Sequence, residues 1–244
     1  YFQPHLLAIT HIMALGWGTM VILGASHQLV PVLIEGKLYS NKLAYTSFVL
    51  AAIGIPLLCY GFYEFNMGAP AKWGGRFVVL ALLAYLINIG ISISKSKNEN
   101  VHAVFVFTSV LWLFITVALG LALVYNFTFT FMRHNSVHYL PLHVHIGIIG
   151  WFLLLVIGVA SRLIPLFLIS KFSNPGILWL IFWLVNLSLL LFILIFYFLP
   201  ISYSLIPDVM LFAAILLFIY YCIAAYKQRI RKQVDEQVRL SLLS

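Results

Sequence analysis

Seven stretches of the chain are apolar for long enough to cross roughly 30 Å of hydrocarbon as helix. They lie near residues 6–34, 43–65, 73–94, 102–125, 141–170, 176–199 and 208–226. Polar breaks rich in turn residues separate them, among them Glu35-Gly36-Lys37, Asn66 to Pro70 and Ser173-Asn174-Pro175. Because the breaks are short, the pattern predicts an all-α, polytopic transmembrane helical bundle over residues 1–226. The tail over 227–244 carries Ile230, Val234, Val238 and Leu242 four residues apart, the spacing of a basic amphipathic helix lying on anionic lipid at the cytoplasmic surface.

Composition narrows the class. Of 244 residues, 64% are hydrophobic and 8% charged, which excludes a water-soluble globular domain. A formal charge of +8 does not indicate nucleic acid, because the cations sit between and after apolar runs rather than on one face. Lys37, Lys42, Lys95, Lys97, Lys171 and the tail cations fall on one side of the predicted topology, and Lys72, Arg76 and Arg133 on the other. By the positive-inside rule the N-terminus faces out and the C-terminus is cytoplasmic, as expected for a bacterial inner-membrane protein. No cleavable signal is expected, because the first apolar run is too long for one. Cys59 and Cys222 lie inside apolar runs without a Cys-x-x-Cys spacing, so neither a disulfide framework nor a thiolate metal site is indicated.

An internal repeat is the most informative motif. At an offset of 134 residues, His11, Gly16, Trp17, Gly24, Leu29 and Pro31 fall on His145, Gly150, Trp151, Gly158, Leu163 and Pro165. Spans one and five are therefore versions of one helix, and both run in the same direction. His11 and His145 are expected at similar depth, near the outer surface.

Ionisable groups in hydrocarbon are costly and usually face a partner. Six of the eight histidines, His5, His11, His134, His138, His143 and His145, cluster on the outward side. Neutral imidazole is a good metal ligand, and one histidine from each of two helices is a common way to hold haem iron. His11 and His145 suit such an axial pair, with Trp17 and Trp151 packed around a macrocycle that Gly16, Gly147 and Gly150 would let approach. Arg76 and Trp73 are candidate partners for its propionates. His143 is turned about 200° from His145 on a helix, so it is either a ligand of a second iron or copper or a residue that bonds only to a carbonyl. His138 and His5 are weaker metal candidates, and His27 and His102 are read as packed, hydrogen-bonded residues.

The stretch Leu142-His143-Val144-His145-Ile146-Gly147 with Gly150-Trp151, together with Thr10-His11-Ile12-Met13, resembles helices of subunit I of the haem-copper oxidase and nitric oxide reductase superfamily, including the cytochrome c oxidase subunit I-like membrane proteins. The resemblance covers mainly spans one and five. It implies haem b held by His11 and His145, His143 as ligand of a high-spin haem, and electron exchange with quinol or a periplasmic carrier. It also implies copper ligands that include adjacent histidines, and no His-His occurs here. Three readings follow: a b-type haem electron-transfer protein, a membrane copper transporter or metal-handling protein, and a catalytic oxygen or nitric oxide reductase with an atypical second metal. The lipid bilayer is the one partner common to all three; association with itself or with another membrane subunit is open.

Overall fold

The computed structural model describes residues 3–96 and 100–230, and the tail helix expected beyond 230 lies outside them. The described residues contain seven helices long and apolar enough to cross a membrane: Pro4–Leu33, Asn41–Tyr63, Ala69–Ser94, Val101–Asn126, Ser136–Phe167, Pro175–Phe198 and Ser202–Lys227. These are spans one to seven. The protein is an integral membrane helical protein.

Helix ends follow local chemistry. Span three starts at Ala69 rather than near residue 73, because Pro70 suits the first helical turn, where its missing N–H costs nothing. A 3-10 turn at Ile201–Ser204 leads into the last helix and starts span seven early. Span five ends at Phe167 rather than near 170, because Ile169 takes a left-handed conformation, φ 49°, that closes the helix.

The repeat seen in spans one and five is reproduced in their backbones and extends over three spans each. Span one is α-helical over Pro4–His11, π-helical over Ile12–Thr19 and α-helical over Met20–Leu33. Span five runs α over Leu140–His145, π over Ile146–Leu153 and α over Leu154–Phe167; from the end of the first α segment onward the boundaries are the same 134 residues on. Each contains its proline, Pro31 or Pro165. Each ends on a left-handed residue, Glu35 or Ile169, both with φ 49°. In each, the next N–H reaches back to the proline carbonyl, Gly36 to Pro31 and Ser170 to Pro165, both at 2.9 Å.

The following helices are capped alike. The Ser40 side chain accepts from the Leu43 N–H at 3.2 Å and Asn174 from Ile177 at 3.1 Å. In the third helix of each set, with the register shifted by two residues, Tyr85 and Tyr221 occupy equivalent sites and both are fully buried. The Tyr85 hydroxyl donates to Ser26 Oγ at 2.7 Å, and the Tyr221 hydroxyl donates to the Ser161 carbonyl at 3.2 Å. Spans one to three and five to seven are thus two copies of one three-helix motif, with span four between them in sequence.

By packing, the described residues divide into two compact units. The first is drawn from Tyr1–Glu99 and Val110–Ile148, the second from Asn100–Ser109 and Ile149–Ser244. In the first unit spans two and three meet backbone to backbone at Gly54, Gly61 and Gly74; a Cβ on Gly74 would lie 2.7 Å from Leu58 Cα. In the second unit, Gly158 of span five admits Phe105 of span four: a Cβ there would lie 2.6 Å from Phe105 Cβ.

Candidate metal centre

The start of span one, the end of span four and the start of span five build the candidate site, all within the first unit. The short α-helix Pro4–His11 places the His11 ring over its own preceding turn, where Nδ1 lies 2.8 Å from the Leu7 carbonyl. A carbonyl only accepts, so Nδ1 carries the proton and Nε2 is left with the lone pair that a metal needs. The His11 ring stands edge-on to Phe62 of span two, with centroids 4.8 Å apart.

His143 faces it. The two imidazole centroids are 6.3 Å apart and their planes differ by 18°. His143 Nδ1 is buried and has no hydrogen-bond partner. Gly120 of span four creates the room for this ring, since a Cβ at that position would come within 3.0 Å of His143 Cε1. One turn further in, Gly147 lies against Thr116, at 3.2 Å from its would-be Cβ to Thr116 Cγ2. Small residues at these contacts bring spans four and five together around His143.

Ring to ring, His11 therefore meets His143. His145 holds the position equivalent to His11 in its own helix, the last α-helical residue before the π segment, and it is half-buried. Equivalence in a repeat fixes a residue's place along its helix, not which ring it faces. The π segments begin at the next residue in both copies, and such irregular turns concentrate where a helix must re-aim its side chains.

The remaining expected residues fall as follows. Trp17 is 67% exposed, on the apolar outside of its helix. Trp151 is buried in the second unit, edge-on to Phe152. Arg76 donates from Nε to the Tyr125 hydroxyl at 2.8 Å, with a second bond from its terminal nitrogen, and its guanidinium lies 4.5 Å over the Trp73 ring. Lys72 lies over the Phe129 ring at 4.5 Å. His5 stands edge-on to Tyr63, while the exposed His134 and His138 rings have centroids 4.3 Å apart. Among the described residues, no three His, Cys, Asp or Glu side chains converge as a metal cage.

Four residues of this region escaped the sequence: Phe62, Gly120, Tyr125 and Asn126. Asn126 organises the loop between spans four and five by donating to the His134 carbonyl at 3.0 Å and accepting from the Met132 N–H at 2.9 Å. The Tyr125-Asn126 pair at the end of span four was the one available signal, a polar doublet at the edge of an apolar run.

No family model matches the chain, and neither a curated protein nor a solved structure does.

Proposed function

We propose that this chain is a membrane haem protein, in which His11 would be one of the residues that hold a haem b near the outer face. The observation that supports this is the His11–His143 pair. The two rings lie 6.3 Å apart, centroid to centroid, with near-parallel planes, so that both would be at hand to hold one metal. The residues also have the right chemistry. His11 presents Nε2 while its other nitrogen is anchored on a carbonyl, and His143 carries a buried nitrogen with no partner. His143 is thus favoured over His145 as second ligand. Without a Cys-x-x-Cys-His sequence the group would be held by ligation and packing alone, which is what b-type denotes.

Bound there, haem supplies one-electron redox chemistry. The residues of the chain would hold its iron, Phe62 and neighbouring apolar groups would exclude water, and Arg76 and Lys72 would offer cations at the outer rim to anionic substituents. With the N-terminus outward, as the lysine distribution favours, quinol or a periplasmic carrier would exchange electrons at that face. Iron quantified in purified wild-type, His11→Ala, His143→Ala and His145→Ala proteins tests the reading. Loss in the first two variants with retention in the third is expected; equal iron in all four, or none in the wild type, would reject it. Gly120→Ala, which presses a methyl against the His143 ring, is expected to lower iron content without removing a ligand.

A second reading, copper handling, draws on the exposed His134–His138 pair, whose nitrogens suit a borderline divalent cation. It predicts copper rather than iron in the purified protein, and its loss in His134→Ala.

A further inference from the structure

The opposite end of the first motif carries polar groups that the second does without. His27 of span one donates from Nδ1 to the Leu23 carbonyl at 2.6 Å, and its Nε2 is buried with no partner. Its ring stands edge-on to Tyr85, centroids 5.3 Å apart. One turn along span three, Asn88 is 0% exposed; Oδ1 accepts the Ser40 N–H at 2.9 Å while Nδ2, with two hydrogens to give, has no partner. A further turn on, Ser92 donates to the Asn88 carbonyl at 2.6 Å and accepts the Tyr39 N–H at 2.9 Å. Ser92 also lines a cavity of about 300 Å³ with Gly36, Lys37, Tyr39 and Lys95. Tyr85, Asn88 and Ser92, spaced three and four residues apart, share one face of span three.

In the second motif the same places are closed. Ala224 stands where Asn88 does, and Ser161 stands where His27 does. Ser161 Oγ is satisfied locally, donating to the Gly158 carbonyl at 2.9 Å and pairing with His102 Nδ1 at 2.7 Å. Phe172 of the adjoining loop packs edge-on to Tyr221 at 5.1 Å, and the Ile230 N–H closes onto the Ile169 carbonyl at 3.2 Å. The scaffold therefore needs neither the histidine nor the amide. An unpaired donor and an unpaired ring nitrogen in a membrane-spanning segment are expensive unless something bonds them. Water is the group that does so in a polar interior.

We propose that the first motif holds internal water running from the cavity at Tyr39, Ser92 and Lys95, past Asn88 and Tyr85, to His27. Asn88 Nδ2 donates to this water, and His27 Nε2 accepts from it. His27 thereby exchanges protons with the side of the membrane that carries Lys37, Lys42 and Lys95: a proton taken up at Nε2 comes from the adjacent water, which regains one from the next. This assignment is independent of haem.

Tyr85 and Tyr221 allow the test to be run on the intact wild-type protein in liposomes. Hydroxyl radicals produced from water by X-rays oxidise side chains that adjoin bound water, and mass spectrometry counts the product at each tyrosine. Both are equally sealed from the outside, 1% and 2% exposed. Tyr85 is expected to be oxidised at least about fivefold faster than Tyr221, and Asn88→Ala, which copies the second motif, to bring the two rates together. Equal rates in the wild type, or a Tyr85 rate unchanged by Asn88→Ala in protein of unaltered helix content, would overturn the proposal.

Discussion

Spans one to three and spans five to seven share a skeleton and differ in what they bury. Both copies keep the π segment, the proline, the left-handed helix end, the side-chain cap and the buried tyrosine. These are backbone solutions: a kinked, closed helix followed by a capped one needs them whatever the protein does. The glycine seam between spans two and three and the unpaired His27 and Asn88 nitrogens occur in the first copy. The second has Ser188, Ile195 and Met210 where the seam glycines stand. What differs between equal skeletons is where function is best sought.

The largest effect is expected at that seam. Gly54→Ala sets a methyl 2.7 Å from Phe77 Cβ and 3.0 Å from the Val78 nitrogen; overpacking of this kind costs about 3 kcal/mol. Ser188→Ala, its counterpart, gives up one bond to the Val185 carbonyl, worth roughly 0.6 kcal/mol in a membrane. Unfolding of the detergent-solubilised variants should separate the two clearly, and equal losses would dissolve the contrast between the seams.

Next in size is a pair with opposite signs. Gly158→Ala meets Phe105 and should destabilise by about 1–3 kcal/mol. Gly24, its equivalent in the first copy, has nothing within 4 Å of a would-be Cβ, so Gly24→Ala should gain roughly 0.5 kcal/mol from better helix propensity. The same unfolding assay reads both, and a loss at Gly24 would show a neighbour the structure lacks.

Shared features should respond alike. Ser40→Ala and Asn174→Ala each remove a cap worth about 1 kcal/mol, and unequal shifts in unfolding temperature would break the equivalence of the copies. Smallest of all, Tyr85→Phe and Tyr221→Phe each delete one buried bond, roughly 0.6 kcal/mol. If Tyr85 also adjoins water, its hydroxyl has a second partner, and Tyr85→Phe should be the costlier of the two.

The spans were legible in the sequence because seven apolar runs have one structural solution in lipid, where every backbone group must bond within its own segment. The kinship of spans one and five was legible because His, Gly, Trp and Pro recur in register. Its continuation into the neighbouring helices was not: Ser40 and Asn174, or Gly54 and Ser188, do the same job with different residues, and the register slips by two before Tyr221. The pairing of His11 with His143 depends on helix rotation, which the π segments alter and hydropathy does not encode. Arg76 and Tyr125 meet across 49 residues of sequence, a contact that only tertiary packing reveals.

The central claim is that His11 and His143 hold one haem iron. A reduced-minus-oxidised visible spectrum of the purified protein, wild type beside His11→Ala, His143→Ala and His145→Ala, tests it most directly. Sharp low-spin bands in the wild type, lost in His11→Ala and His143→Ala and kept in His145→Ala, are predicted. A colourless wild type, or bands indifferent to both His11→Ala and His143→Ala, would contradict it.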